Sequence, residues 1–317
     1  MIARWASGLA LLAACGAGAA AENALPILTP IQVAPNVYQF QGSPGVAKRE
    51  NKGFNSNAGF VVTSTAVVVI DALGTPALGE AMIAAIRKIT PKPIQKVIIT
   101  HYHADHFYGL QAFKKLGAEI WAHGGAREYL NNGEGAARLA QRRADLAPWV
   151  NDATQLIAAD VWLETSRSLT VGDTAFELIH LGPAHSPEDI IVLIKNSGVI
   201  FTGDILFTGR IPFVGEADSR RWLQTFEALL ALKPRVMITG HGKPSMNPAT
   251  DLSLTREYLL YLRSTMGRAV ADFVPFEEAY KATDWHRFAD MPAFEAANRI
   301  NAYGTYLLME KESLAVK

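Results

Sequence analysis

The stretch T-H-Y-H-A-D-H-F, residues Thr100 to Phe107, packs three of the chain's 8 histidines and one aspartate into six positions. It follows the apolar run Q-K-V-I-I-T, which reads as a buried strand. In an extended segment His101, His103 and Asp105 stand at two-residue intervals and project to one side, and His106 reaches a second point beside them. A core would have to satisfy several polar rings at once, which is costly. Imidazoles and a carboxylate suit zinc and other borderline transition metals, whose catalytic sites need about three protein ligands and an open position. The cluster therefore serves two adjacent metals, and further ligands are expected elsewhere.

Working outward, L-I-H-L-G-P-A-H places His185 after a strand, V-I-F-T-G-D places Asp204 after another, and V-M-I-T-G-H places His241 after a third. Each lies where a strand emerges into a loop, the usual place for sites on α/β scaffolds. Between them, strand and helix patterns alternate. N-V-Y-Q-F-Q-G and A-G-F-V-V-T-S-T-A-V-V-V-I-D-A read as strands, Pro76 to Ile89 as a helix, and Leu110 to Leu116 as a short helix closed by Gly117. The segment Ala126 to Ala147 reads as one charged helix, and Asn196-Ser197-Gly198 as a hairpin turn. Helices are also expected at Ser219 to Leu232, Leu252 to Ala271 and Ala293 to Leu308. No linker rich in Pro, Gly or Ser interrupts the chain, so one α/β domain over 30–312, two sheets covered by helices with a helical extension from about 250, is the expected organisation.

Composition limits the partners. Of 317 residues, 49% are hydrophobic, and 30 basic residues balance 30 acidic ones, so no basic field exists to attract nucleic acid. A small-molecule substrate is expected. At the N-terminus, Arg4, the short apolar run Trp5 to Ala14 and Ala19-Ala20-Ala21 read as a signal peptide over 1–21. The only cysteine, Cys15, falls in L-A-A-C, which resembles a bacterial lipoprotein box. That implies export to the periplasm and a membrane tether through lipidated Cys15, whereas cleavage after Ala21 would free the chain. Neither route leaves an intramolecular disulfide.

H-Y-H-A-D-H resembles the HxHxDH signature of the metallo-β-lactamase superfamily, and His185, Asp204 and His241 follow in contexts, P-A-H-S, T-G-D and T-G-H-G, similar to that superfamily's. The likeness covers roughly 35–250. It implies a four-layer αββα sandwich holding two Zn(II), with Fe or Mn as the alternatives. By that resemblance His101, His103 and His185 hold the first metal, Asp105, His106 and His241 the second, and Asp204 bridges them. A-H-S-P-E-D-I-I-V, F-T-G-D-I-L-F-T-G-R-I-P-F and the tail N-R-I-N-A-Y-G-T-Y-L-L-M-E resemble the quinoprotein-relay zinc metallohydrolases. A carboxylate at 204, where the best-known lactamases carry cysteine, is similar to the glyoxalase II and lactonase branches, so β-lactamase activity is not the default.

The implied reaction is hydrolysis of an ester, thioester, lactone or lactam by a metal-bound hydroxide, with Asp105 orienting it. Two other readings are a mononuclear-iron redox enzyme resembling a persulfide dioxygenase, and a non-catalytic metal-binding accessory of a periplasmic quinoprotein system. Arg210, Lys243 and Tyr102 flank the ligand loops as candidate substrate contacts. His123 and His180 are read as structural, and His286 as a surface residue.

Overall fold

Alternation along the strands decides how the layers stack. In a strand, successive side chains point to opposite faces. On β4 (Val67–Ile70), Val67 and Val69 pack with Leu78, Met82 and Ile86 of the helix Pro76–Ile89, whereas Val68 and Ile70 join Phe176, Leu178, Val192 and Phe201 from a second sheet. On β12 (Val236–His241) the same period sends Val236 and Ile238 between the sheets and Met237 outward to Trp222, Phe226, Tyr258 and Leu262. Three apolar layers thus separate four layers of structure, and the computed structural model, which describes residues 25–215 and 217–315, has the αββα sandwich. The segment 1–21, with Cys15, lies outside the described residues.

The first sheet runs in chain order: β1 (Ile31–Ala34), β2 (Val37–Phe40), β3 (Ala58–Val62), β4, β5 (Ile94–Ile98), β6 (Glu119–His123) and β7 (Val161–Leu163). Strands β1 to β4 form an antiparallel meander, and β4 to β7 pair in parallel. Parallel neighbours need crossovers, supplied here by Pro76–Ile89 between β4 and β5 and by Leu110–Lys115 between β5 and β6. The second sheet has the order β12, β11 (Val199–Phe207), β10 (Ile191–Ile194), β9 (Thr174–Ile179), β8 (Arg167–Val171). Its parallel pair, β11 with β12, is bridged by the helix Ser219–Ala231.

Three local expectations need correction. The helix read over Ala126 to Ala147 is two, Ala126–Asn131 and Glu134–Leu146, because Gly133 turns left-handed at φ 92° and the Asn132 side chain accepts from the Glu134 amide. The C-terminal helix, Phe294–Ala315, outruns its expected end at Leu308, with Arg263 and Arg220 gripping Glu312 in its last turns. Strand β1 escaped notice, since its four residues show no buried face.

Candidate metal centre

Four segments of the chain deliver seven ligand-type side chains to one edge of the sandwich. β5 stops at Ile98, and the extended residues after it present His101 and His103. Asp105 does not continue that extended run as its spacing suggested. The chain closes into the helical turn Ala104–Phe107 capped by His103, whose carbonyl accepts from the His106 amide at 2.8 Å, so Asp105 and His106 diverge around a helix instead of alternating. His185 stands in the loop between β9 and β10, and His241 ends β12.

Asp204 sits within β11 rather than after it. Two register shifts against β12 flank Gly203, the residue before it, where the backbone has φ 53° and a Cβ would lie 2.6 Å from the Thr100 hydroxyl. Gly240 on β12 is required by contact, because a Cβ there would approach Asp204 Oδ1 to 1.9 Å. This local distortion turns a carboxylate out of a fully buried strand and into the centre.

Three groups emerge, each with donor atoms within 4.8 Å of one another: His101, His103 and His185; His101, His106 and Asp204; Asp105, His106 and His241. Asp204 spans them. Its Oδ2 lies 3.4 Å from His185 Nε2, 3.3 Å from His241 Nε2 and 3.8 Å from His101 Nε2, and its Oδ1 lies 3.1 Å from His106 Nε2. His103 Nδ1 and His185 Nε2 are 2.7 Å apart. The inner atoms His101 Nε2, His106 Nε2 and Asp204 Oδ1 are buried and make no hydrogen bond. Unsatisfied buried polar atoms are costly, and a shared cation would satisfy all three. The donor set of imidazoles and carboxylates therefore fits transition metals.

Outer contacts fix the rings. His106 Nδ1 meets Asp71 Oδ2 at 2.9 Å, His185 Nδ1 the Phe213 carbonyl at 2.9 Å, His241 Nδ1 the Asn55 carbonyl at 2.7 Å, and His101 Nδ1 the Thr100 hydroxyl at 3.1 Å. In each of these four rings Nε2 is left facing inward. Asn55 Nδ2 also donates to Asp105 Oδ2 at 3.0 Å, steering that carboxylate.

Electrostatics prepare the set for cations. Burial drives His101 well below the usual imidazole range, helped by His106 and His103, and pushes His185 down to about 3, so both rings are neutral, the form in which imidazole can bind a metal. Burial opposes charge on His106 as well, but Asp204 and Asp71 outweigh it and raise the ring. Against the same burial, His241 and His106 hold Asp204 ionised, and His106 and His241 do so for Asp105.

Asp71 is the residue that motif reading missed. It follows β4 directly in V-V-V-I-D, adopts φ 59°, and its two oxygens also accept from the Thr100 amide and hydroxyl at 2.8 and 2.9 Å. An acid closing a wholly apolar strand was the available signal. Asp71→Ala is expected to weaken metal binding at the Asp105, His106, His241 group by about 10- to 100-fold, read by chelator competition. Unchanged affinity would mean His106 needs no outer partner.

The candidate substrate contacts fare differently. Arg210 is fully buried behind His241, donating to the Gly45 carbonyl at 2.9 Å with Nη1 3.2 Å from His241 Nδ1. Tyr102 points into the helix-side core, stacked on Phe107 at 4.5 Å with its hydroxyl on the Ile157 carbonyl. Lys243 is exposed, its carbonyl accepting from Thr208. His123 and His180 stack on each other at 4.3 Å, outside the ligand groups.

Residues 51–241 match the family model of the metallo-beta-lactamase superfamily. The linear primary-alkylsulfatase of Pseudomonas sp. (strain ATCC 19151) is 22% identical over 233 residues, 62% of this chain and 44% of that protein. Metallo-beta-lactamase type 2 of Bacillus sp. (strain 170) is 26% identical over 193 residues, 59% of this chain and 67% of that one. Among solved structures, the inverting sec-alkylsulfatase Pisa1 from Pseudomonas sp. superposes with a TM-score of 0.68 at 19% identity, covering 89% of this chain and 50% of that one. The metallo-beta-lactamase from Pontibacter korlensis gives 0.57 at 18% identity, covering 74% of this chain and 99% of that one. The chain thus spans half or less of the length of the alkylsulfatases it matches.

Proposed function

The chain belongs to the metallo-beta-lactamase superfamily, and on that premise we propose that it is a two-zinc hydrolase cleaving an ester, thioester, lactone or lactam bond in a small molecule. The observation that carries this reading is the reach of Asp204, whose two oxygens face histidines of both outer groups while the inner atoms stay unpartnered. His101, His103 and His185 would hold one metal, Asp105, His106 and His241 the other, with Asp204 shared. Bound there, the metals supply Lewis acidity and a water activated near neutral pH. Asp105, kept ionised and steered by Asn55, is the group placed to orient that water. A mononuclear iron enzyme would need only part of the seven.

The carboxylate at 204 and the A-H-S-P-E-D motif support a branch near the quinoprotein-relay and glyoxalase II-like enzymes. The alkylsulfatase fold, covering 89% of the chain, favours a second reading, sulfate-ester hydrolysis. A panel of β-lactams, lactones, glutathione thioesters and alkyl sulfates, offered to the zinc-loaded protein, separates them. Chelator-sensitive turnover of a carbonyl substrate is expected. Turnover of alkyl sulfates alone would replace the reading with the second, and none at all would leave the accessory role.

L-A-A-C supports export and a tether at Cys15. Mass spectrometry of the mature protein is expected to find a lipidated N-terminal cysteine, and a chain starting at Glu22 without lipid would overturn the tether.

A further inference from the structure

Asn55, Ser56 and Asn57, the three residues ahead of β3, are all buried although each carries a polar side chain. They lie between two ligands of one metal group. Toward the helical turn Ala104–Phe107, Ser56 Oγ donates to the Asp105 carbonyl, and Asn55 Nδ2 donates to Asp105 Oδ2 at 3.0 Å. Toward the end of β12, the Asn55 carbonyl accepts from His241 Nδ1 at 2.7 Å, the Asn57 amide donates to the Gly240 carbonyl at 2.7 Å, and Asn57 Nδ2 donates to the Thr239 and Gly242 carbonyls, each at 2.8 Å. The segment therefore joins Asp105, carried by the first sheet, to His241, carried by the second, and their facing atoms Oδ2 and Nε2 stand 3.5 Å apart.

The two asparagines are held differently. Asn57 is satisfied at both ends of its amide, with Oδ1 accepting from the Gly42 amide at 3.0 Å while Nδ2 serves β12. Asn55 is 5% exposed, and its Oδ1 is buried without a hydrogen-bond partner. An ionised carboxylate only accepts, so the amide has to turn its nitrogen to Asp105 and leave its oxygen behind. Among the described residues the bond to Asp105 Oδ2 is the one hydrogen bond of this side chain. A buried acceptor left unpaired is a cost to folding, and an apolar residue of similar size would avoid it. The side chain thus gives up stability while holding a metal ligand.

We propose that Asn55 is a positioning residue kept for metal occupancy and not for the fold. Its amide fixes the Asp105 carboxylate toward His241, so it governs affinity at the Asp105, His106, His241 position and has no hold on His101, His103 or His185. Asp71, by contrast, also ties the Thr100 amide and hydroxyl, so its loss disturbs the backbone as well as a ligand. The role of the Asn55 amide is separable, because the link to His241 runs through the main chain and survives substitution of the side chain. The inference rests on the two-metal reading.

The test is competition between the purified chain and a chromophoric chelator for zinc, with the melting temperature of the metal-free protein measured alongside. Wild type is expected to take up two zinc ions in two steps. In Asn55→Leu one step is expected to weaken about tenfold or more while the other holds, and the metal-free melting temperature to stay within about 2 °C of wild type or to rise. Combined with His241→Ala, which keeps the His101, His103, His185 position, Asn55→Leu is expected to add nothing; combined with His103→Ala, which keeps the other, it is expected to weaken the remaining ion. Asn57→Ala, which breaks satisfied bonds, is the structural comparison and is expected to lower the metal-free melting temperature. Two unaltered steps in Asn55→Leu, or an equal weakening of both with a lowered metal-free melting temperature as in Asn57→Ala, would overturn the inference and leave the two-metal reading intact. A wild type that binds a single zinc would sink that reading and the inference with it. Loss of the one step in a protein that turns over no substrate would uphold the inference and sink the hydrolase reading alone.

Discussion

Stripping the metals with a chelator is expected to abolish hydrolysis and to lower the melting temperature by roughly 5–15 °C, both restored by zinc. The reason is the state in which the ligands are left. His101, His106, His185, Asp204 and His241 are all buried, and three of their inner atoms make no hydrogen bond. Without a cation these atoms carry an uncompensated desolvation cost, and a metal that binds only the folded chain stabilises it by mass action. His106 adds a proton to the balance. Asp204 and Asp71 raise its affinity for that proton, so metal uptake must displace it and metal affinity should fall as the pH is lowered. Calorimetry with and without chelator checks the shift. A melting temperature unchanged after verified metal removal would contradict a metal-supported core.

Asp204→Ala should be the most damaging single substitution in the centre, with turnover reduced by roughly 10²- to 10³-fold or more. Its carboxylate faces His101, His106, His185 and His241 at 3.1–3.8 Å, which puts it between the two sides. Its loss leaves two cations close together with less negative charge between them, and repulsion favours expelling one. His106 also loses the first of the two carboxylates that raise it. By contrast, replacing His241 should affect mainly one metal and replacing His103 mainly the other. His286→Ala, in the exposed helical tail, should leave turnover intact. Steady-state rates of the four variants under zinc-replete conditions decide the order, and an Asp204→Ala enzyme as active as His286→Ala would refute the bridging role.

Much of this centre could be read from the chain because its ligands are tied to strong local patterns. His101 to His106 fall within six positions, and Asp204 and His241 close the short continuous apolar runs V-I-F and V-M-I, which read as buried strands. What escaped was set by three-dimensional context. The helical turn Ala104–Phe107 is too short for periodicity to reveal, so Asp105 was assigned an extended neighbour's direction. Asp204 looked like a residue beyond its strand, whereas the bulge at Gly203 keeps it inside one. Asp71 is 35 positions from His106 in sequence, and only the parallel pairing of β4 with β5 brings its oxygens beside Thr100 and that ring. Tyr102 sits between two ligands in the sequence, and alternation along the extended segment turns it to the opposite side, into the core.

The central claim is that one carboxylate joins two metal positions. Elemental analysis of the purified chain under metal-replete conditions, wild type beside Asp204→Ala and His241→Ala, tests it most directly. The account predicts about two zinc ions per chain in wild type and about one in each variant. A single iron per chain, retained when Asp204 or His241 is replaced, would contradict it.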